Sequence, residues 1–204
     1  MLEIFNPEQI ELESMRIIQS ILDEKNFSCP DENLPVIKRV IHATADFDFL
    51  DNLFFSDNVV KIAREALKNH APVITDTLML ASGISKKFNT EIICRVSDED
   101  IKLEAKQRNL TRSIVNIEQA VKNFPNAVYA IGNAPTALIR LCELINEGLA
   151  NPAAVIGVPV GFVNVIEAKN ILASLDNIPR IIARGRKGGT TVACAIINAI
   201  LYGI

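Results

Sequence analysis

"AVYAIGNAPTALIRLCELINEGLANPAAVIGV", residues 127–158, decides the fold. It opens on a short apolar run, "AVYAIG", built of branched and aromatic residues that suit a strand. Pro135 then stands where a first helical turn accepts proline, because that N–H has no partner to lose. "PTALIRLCELINEG" follows with helical apolar spacing, and Gly148 supplies a left-handed stop. A second apolar run, "AAVIGV", completes strand, helix, strand. Two strands joined through a helix are expected to run parallel, because parallel neighbours need such a crossover whereas a hairpin turn joins antiparallel ones.

The pattern repeats outward in both directions. Downstream, "FVNVIEAKNILASL" reads as a helix, "RIIARG" as a strand and the C-terminal segment as a helix. Upstream, "PVIT" and "EIICRV" read as strands, with "DTLMLASG", "DEDIKLEAKQRN" and "RSIVNIEQAVKNF" as helices. The first third reads as "PEQIELESMRIIQSIL" helix, a helix from near Pro35, "DNLFFS" strand, and "SDNVVKIAREALKNH" helix capped by Ser56 or Asp57. Ile10, Ile17, Ile18, Ile21 and Leu22 form the expected buried stripe of the first helix. Short apolar strands alternating with helices imply an α/β fold, a mostly parallel sheet with helices on both faces. No repeat or linker divides the chain, so residues 1–204 are read as a single domain.

Composition narrows the function. The formal net charge of −3 excludes a global basic footprint for nucleic acid, and 5% aromatics without tryptophan disfavour a base-stacking platform. "MLEIFNPEQIELES" is acidic and amphipathic, so no signal peptide is expected, and no apolar run is long enough for a membrane span. Four scattered cysteines without CxxC spacing are read as reduced thiols of a cytoplasmic protein. Two distant histidines match no metal-ligand spacing, so no metal site is expected. GxxxxGK[ST], GxGxxG and GxSxG are all absent, which counts against phosphate-loop, dinucleotide and nucleophile-elbow chemistry.

The chemistry is expected where the strands end. In an open parallel sheet, the turns at the strand carboxyl ends converge on one edge, where ligands bind. "TDT" supplies Thr75 and Asp76, "GNAPTA" supplies Asn133 and Thr136, and "GVPVGF" supplies Gly157 and Gly161. "RGRKGGTT" brackets Gly185, Gly188 and Gly189 with Arg184, Arg186 and Lys187. Cations beside exposed amides suit a carboxylate or phosphate; the same residues also suit a plain glycine turn with solvated cations. In "KRVIHATADFDF" (38–49), Arg39 and His42 share a helix flank beside the buried Val36, Ile37, Val40 and Ile41. An imidazole there can exchange a proton near neutrality, or simply bond a last-turn carbonyl, as His70 is expected to do. Ser14 stands on the apolar stripe of the first helix. It either bonds back to the carbonyl four residues earlier or reaches a ligand.

Taken in order, "RVIHATADFDF", "PVITDTLM", "LTRS", "IGNAPTAL", "GVPVGFVNVIEAK" and "GRKGGTTVACAIINA" resemble the precorrin-8X methylmutases, a family that includes the cobalt-precorrin-8 methylmutases. The resemblance runs from about residue 7 to 200. It implies a Rossmann-like homodimer of the cobalamin pathway that needs no external cofactor. Its reaction moves a methyl group from carbon 11 to carbon 12 of the precorrin-8X or cobalt-precorrin-8 tetrapyrrole, giving hydrogenobyrinate or cobyrinate. By the resemblance, His42 is the proton donor and acceptor, and Ser14 and Arg39 contact the substrate. The matched motifs add Thr111, Arg112 and Lys169 to the expected substrate-binding set of Thr75, Asp76, Asn133, Thr136, Gly157, Gly161, Arg186, Gly188 and Gly189. Met15, Ala168 and Thr190 depart from the residues usual in the family at those positions. A macrocycle rimmed with carboxylates needs apolar walls and cationic or amide partners at the rim. Rival readings are a corrinoid carrier without activity and a phosphate- or nucleotide-using enzyme.

Overall fold

The strands pair in the order β1-β6-β5-β4-β2-β3. They are β1 (Leu53–Phe55), β2 (Val73–Thr75), β3 (Ile92–Ile93), β4 (Val128–Ile131), β5 (Ala154–Gly157) and β6 (Arg180–Ala183). Every pairing is parallel except β1 with β6. The structure is a computed structural model and describes residues 6–203. Met1–Phe5, the start of the stretch read as lacking a signal sequence, and Ile204, the last residue of the C-terminal apolar segment, lie outside the described residues.

Side chains on successive strand residues point to opposite faces, and both faces are apolar. Val128, Ala130, Ala154, Ile156, Ile181 and Ala183 face one core. Tyr129, Ile131, Val155 and Ile182 face the other. The first face is covered by α2 (Leu34–Thr44), α4 (Val59–Lys68), α5 (Leu78–Gly83) and α10 (Thr190–Leu201). The second is covered by α7 (Arg112–Asn123), α8 (Pro135–Asn146) and α9 (Val165–Ala173). α1 (Pro7–Glu24) packs outside α2 through Ile18 and Leu22, and α6 (Glu99–Gln107) packs outside α7 through Ile101 and Ala105. A four-residue helix, α3 (Phe49–Asn52), leads into β1. The α/β architecture expected from the alternation is the one observed.

Several local expectations change. α4 is not capped by Ser56 or Asp57; Asn58 caps it at φ 56°, a left-handed conformation that asparagine tolerates. "EIICRV" pairs over only Ile92–Ile93, because β3 is an edge strand with a single neighbour. "FVN" lies outside α9, which starts after a left-handed Asn164. The buried stripe of α1 is shorter than expected: Ile18 and Leu22 are buried, whereas Ile10 is 52% and Ile17 47% exposed.

The connections make a switch point. β2 leads into α5 on one face, and β4, beside it, leads into α8 on the other. Their carboxyl ends therefore diverge, the usual place for a ligand crevice. Here the crevice is filled from within by Asp76.

Candidate active site

α2 and α10 run antiparallel along one face of the sheet. Near the carboxyl ends of the strands they enclose, with α5, a cavity of about 340 Å³. Arg39, His42, Met79, Thr190, Cys194 and Asn198 are among its lining residues. Val36, Ile37, Val40 and Ile41 are buried, which rotates Arg39 and His42 to the cavity flank as the helical spacing predicts. The His42 side chain is exposed and makes no hydrogen bond among the described residues. α5 is fastened to α10 from beneath: Cys194 Sγ and Asn198 Nδ2 both donate to the Gly83 carbonyl, at 2.9 and 3.0 Å. Burial raises the Cys194 thiol pKa above its ordinary value.

Arg39 divides this cavity from a second, of about 580 Å³, whose lining includes Glu11, Met15, Lys38, Arg64 and Tyr202. The Arg39 guanidinium donates to Glu11 Oε1 and lies 5.1 Å from the centroid of the Tyr202 ring. Ser14 takes the local option. Its Oγ donates to the Ile10 carbonyl at 2.8 Å, and it lines neither cavity.

The turn after β6 is fastened on three sides. Arg184 stacks on Phe54 at 4.9 Å from its centroid. Lys187 reaches Asp46 at 2.7 Å and Asp48 at 2.5 Å, tying the turn to the segment that follows His42. These pairs raise the Lys187 pKa, and the Lys187 bond holds Asp46 below the usual carboxylate range. From beneath, Lys169 Nζ donates to the carbonyls of Gly185 and Lys187 at 2.8 and 2.7 Å. Arg186 is exposed and makes no ion pair among the described residues. Gly188 sits at φ 149°, where a Cβ would lie 2.3 Å from the Val158 carbonyl oxygen. Only glycine permits that approach.

Asp76 is fully buried and accepts three backbone N–H bonds, from Gly132 (3.1 Å), Asn133 (2.7 Å) and Ala134 (2.7 Å). Burial raises its pKa, against the pull of those amides. Thr75 is likewise buried, and its Oγ1 donates to the Thr77 carbonyl. Thr111 caps α7 and lies 3.4 Å from Thr136 across the start of α8. Arg112 and Asn133 are exposed beside them, Gly157 is buried under Leu138 and Leu172, and Gly161 donates its N–H to the Arg186 carbonyl.

The expected residues therefore divide. Arg39 and His42 share the cavity; Arg186, Gly188 and Gly189 form a turn pinned to the segment after His42. Asn133, Thr111, Arg112 and Thr136 lie around the start of α8. Thr75, Asp76, Gly157 and Lys169 have their polar groups or surfaces spent inside the fold. Thr190, Cys194 and Asn198 were missed as cavity residues. Their signal was present: they fall at i, i+4 and i+8, a polar stripe along an otherwise apolar helix. Met79 on the cavity wall is 73% exposed, and Phe162 and Val163, after β5, are 87% and 77% exposed.

An α/β fold with an exposed imidazole beside a guanidinium on one cavity wall has the arrangement of an enzyme site that takes an anionic ligand. The sequence profile of the family described as precorrin-8X methylmutase matches residues 9–203. A cobalt-precorrin-8 methylmutase from Priestia megaterium is 41% identical, covering 95% of this chain and 87% of its own. One from Salmonella typhimurium is 40% identical, covering 98% and 96%. The crystal structure of a precorrin-8X methylmutase from Thermus thermophilus superposes with a TM-score of 0.84 at 33% identity, covering 95% of this chain and 96% of that one. The chain belongs to the precorrin-8X methylmutase family and is a methylmutase, an isomerase of cobalamin biosynthesis.

Proposed function

We propose that the chain moves a methyl group from carbon 11 to carbon 12 of precorrin-8X or cobalt-precorrin-8, with His42 as the proton donor and acceptor. The observation that carries this reading is the His42 imidazole, beside Arg39 at the mouth of the cavity and without a hydrogen-bond partner among the described residues. A proton delivered to a ring nitrogen draws electron density from the conjugated system and lowers the barrier to the shift. When that proton returns to His42, the reaction balances as an isomerisation. A single general acid supplies roughly 10²–10⁴ in rate. Arg39 exchanges its Glu11 partner for a substrate carboxylate, and the exposed Met79, Phe162 and Val163 cover the apolar macrocycle. Arg186, Gly188 and Gly189, with Asn133, Thr136, Thr111 and Arg112, supply rim contacts. Exposed Ile10, Leu12 and Ile17 on α1 support a homodimer. The scattered thiols support the cytoplasm as its compartment.

The test is incubation of the wild-type chain and His42→Ala with cobalt-loaded and metal-free substrate, followed by absorption. Wild-type conversion, with loss of turnover but retained corrinoid binding in His42→Ala, is expected. Unimpaired turnover in His42→Ala overturns the proton role. Binding without conversion of either substrate by the wild-type chain would identify a carrier.

A further inference from the structure

Lys169 is a charged side chain with 2% exposure, set in the middle of α9. Burying an ammonium is costly unless it is well bonded. The side chain is held by two carbonyls, those of Gly185 and Lys187, at 2.8 and 2.7 Å. The intervening carbonyl, that of Arg186, accepts from Gly161 N at 3.3 Å. Three successive carbonyls are thus spent on α9 and the segment after β5.

This has a consequence for the amides. There is no cis peptide among the described residues. In a trans peptide the C=O and the following N–H point in opposite directions. With the carbonyls of 185, 186 and 187 bonded inward, the N–H groups of Arg186, Lys187 and Gly188 point the opposite way. None of the three has a protein acceptor among the described residues. They lie beside the exposed Arg186 side chain, in a turn that Lys187 pins to the segment following His42.

We propose that Lys169 is a positioning residue for substrate binding, which aims the 186–188 peptide N–H groups and the Arg186 side chain at a carboxylate on the substrate rim. It acts through the turn and does not touch the substrate. The inference rests on the corrinoid reading above. A lysine there does what a methionine of similar length cannot, because only a donor at its tip fixes two carbonyls. Burial also lowers its pKa to about 8, and the neutral amine still keeps two N–H donors for the two carbonyls.

The test uses the full chain with Lys169→Met, Arg186→Ala and the double variant. Corrinoid product affinity is read by absorption, and KM and kcat by turnover. Lys169→Met is expected to weaken product binding and raise KM by about tenfold, the scale of one charge-assisted contact, with kcat nearly unchanged. The double variant should lose little more than the larger single change, because both act on one turn. Wild-type affinity in Lys169→Met, or losses that multiply in the double variant, overturns the proposal. Should Lys169→Met fail to fold, NMR of the wild-type chain decides. Ligand-induced shifts at the 186–188 amides without ligand contacts to the Lys169 ammonium support positioning; direct ammonium–ligand contacts refute it. Absence of wild-type turnover would refute the methyl-shift reading alone, because product affinity still reports on Lys169.

Discussion

Replacing Asp76 should separate a residue that braces the ligand edge from one that touches ligand. Its carboxylate accepts from Gly132, Asn133 and Ala134, all at the turn that starts α8. Asp76→Ala leaves three desolvated N–H groups without acceptors. Each such group costs about 1–3 kcal/mol. Neighbouring amides relax together, so the sum should fall near 3–6 kcal/mol, a large part of the ~5–15 kcal/mol available to a domain. Asp76→Asn is milder. Its carbonyl oxygen can replace Oδ2, which serves both Asn133 and Ala134 at 2.7 Å, leaving only Gly132 unserved. It also removes the buried charge whose desolvation raises the Asp76 pKa. The expected cost is about 1–2 kcal/mol. Urea unfolding with m-values of about 1–3 kcal/mol/M would show Asp76→Ala shifted by roughly 2 M and Asp76→Asn by well under half of that. Equal shifts, or an unchanged unfolding curve with a raised KM in Asp76→Asn, would refute the bracing role and restore Asp76 as a substrate contact.

Gly188→Ala places a Cβ 2.3 Å from the Val158 carbonyl oxygen at φ 149°, so it should destabilise by about 3 kcal/mol or more in urea unfolding; a neutral result would mean the two loops can separate freely. Lys169 gives a pH signature. Its folded pKa of about 8 lies below the ordinary lysine value of 10.5, so between those values the unfolded chain binds more protons. Wild-type stability relative to Lys169→Met should therefore rise from pH 8 to 10.5, by at most about 3 kcal/mol, and that gain is lost as pH falls through 8. A flat difference across urea titrations at these pH values contradicts the buried ammonium. Cys194 lines the His42 cavity with a raised thiol pKa, so alkylation should be slow and slower still with corrinoid bound; mass spectrometry of labelled peptides showing no protection would place the ligand elsewhere.

Residues 127–158 determined strand, helix and strand by local means: Pro135 at a helix start, Gly148 at its end, and branched apolar runs on either side. The Arg39–His42 flank was equally legible, because helical periodicity and the buried Val36, Ile37, Val40 and Ile41 of the same helix fix it within one turn. Other features depend on contacts distant in sequence. β1 joins the sheet antiparallel beside β6, a pairing that no property of "LFF" specifies. Ser14 bonds its own helix because the stripe it shares with Ile10 and Ile17 is largely exposed, which depends on where α1 docks. Asp76 and Lys169 read from their turns and motifs as polar groups free to meet a ligand. Tertiary packing instead buries them against backbone groups that have no other partner among the described residues: three amides for the carboxylate, two carbonyls for the ammonium. The sequence alone determined which residues are polar at the ligand edge. Only the tertiary structure decided which face outward, because a buried backbone group must be bonded and takes the nearest side chain that can serve it.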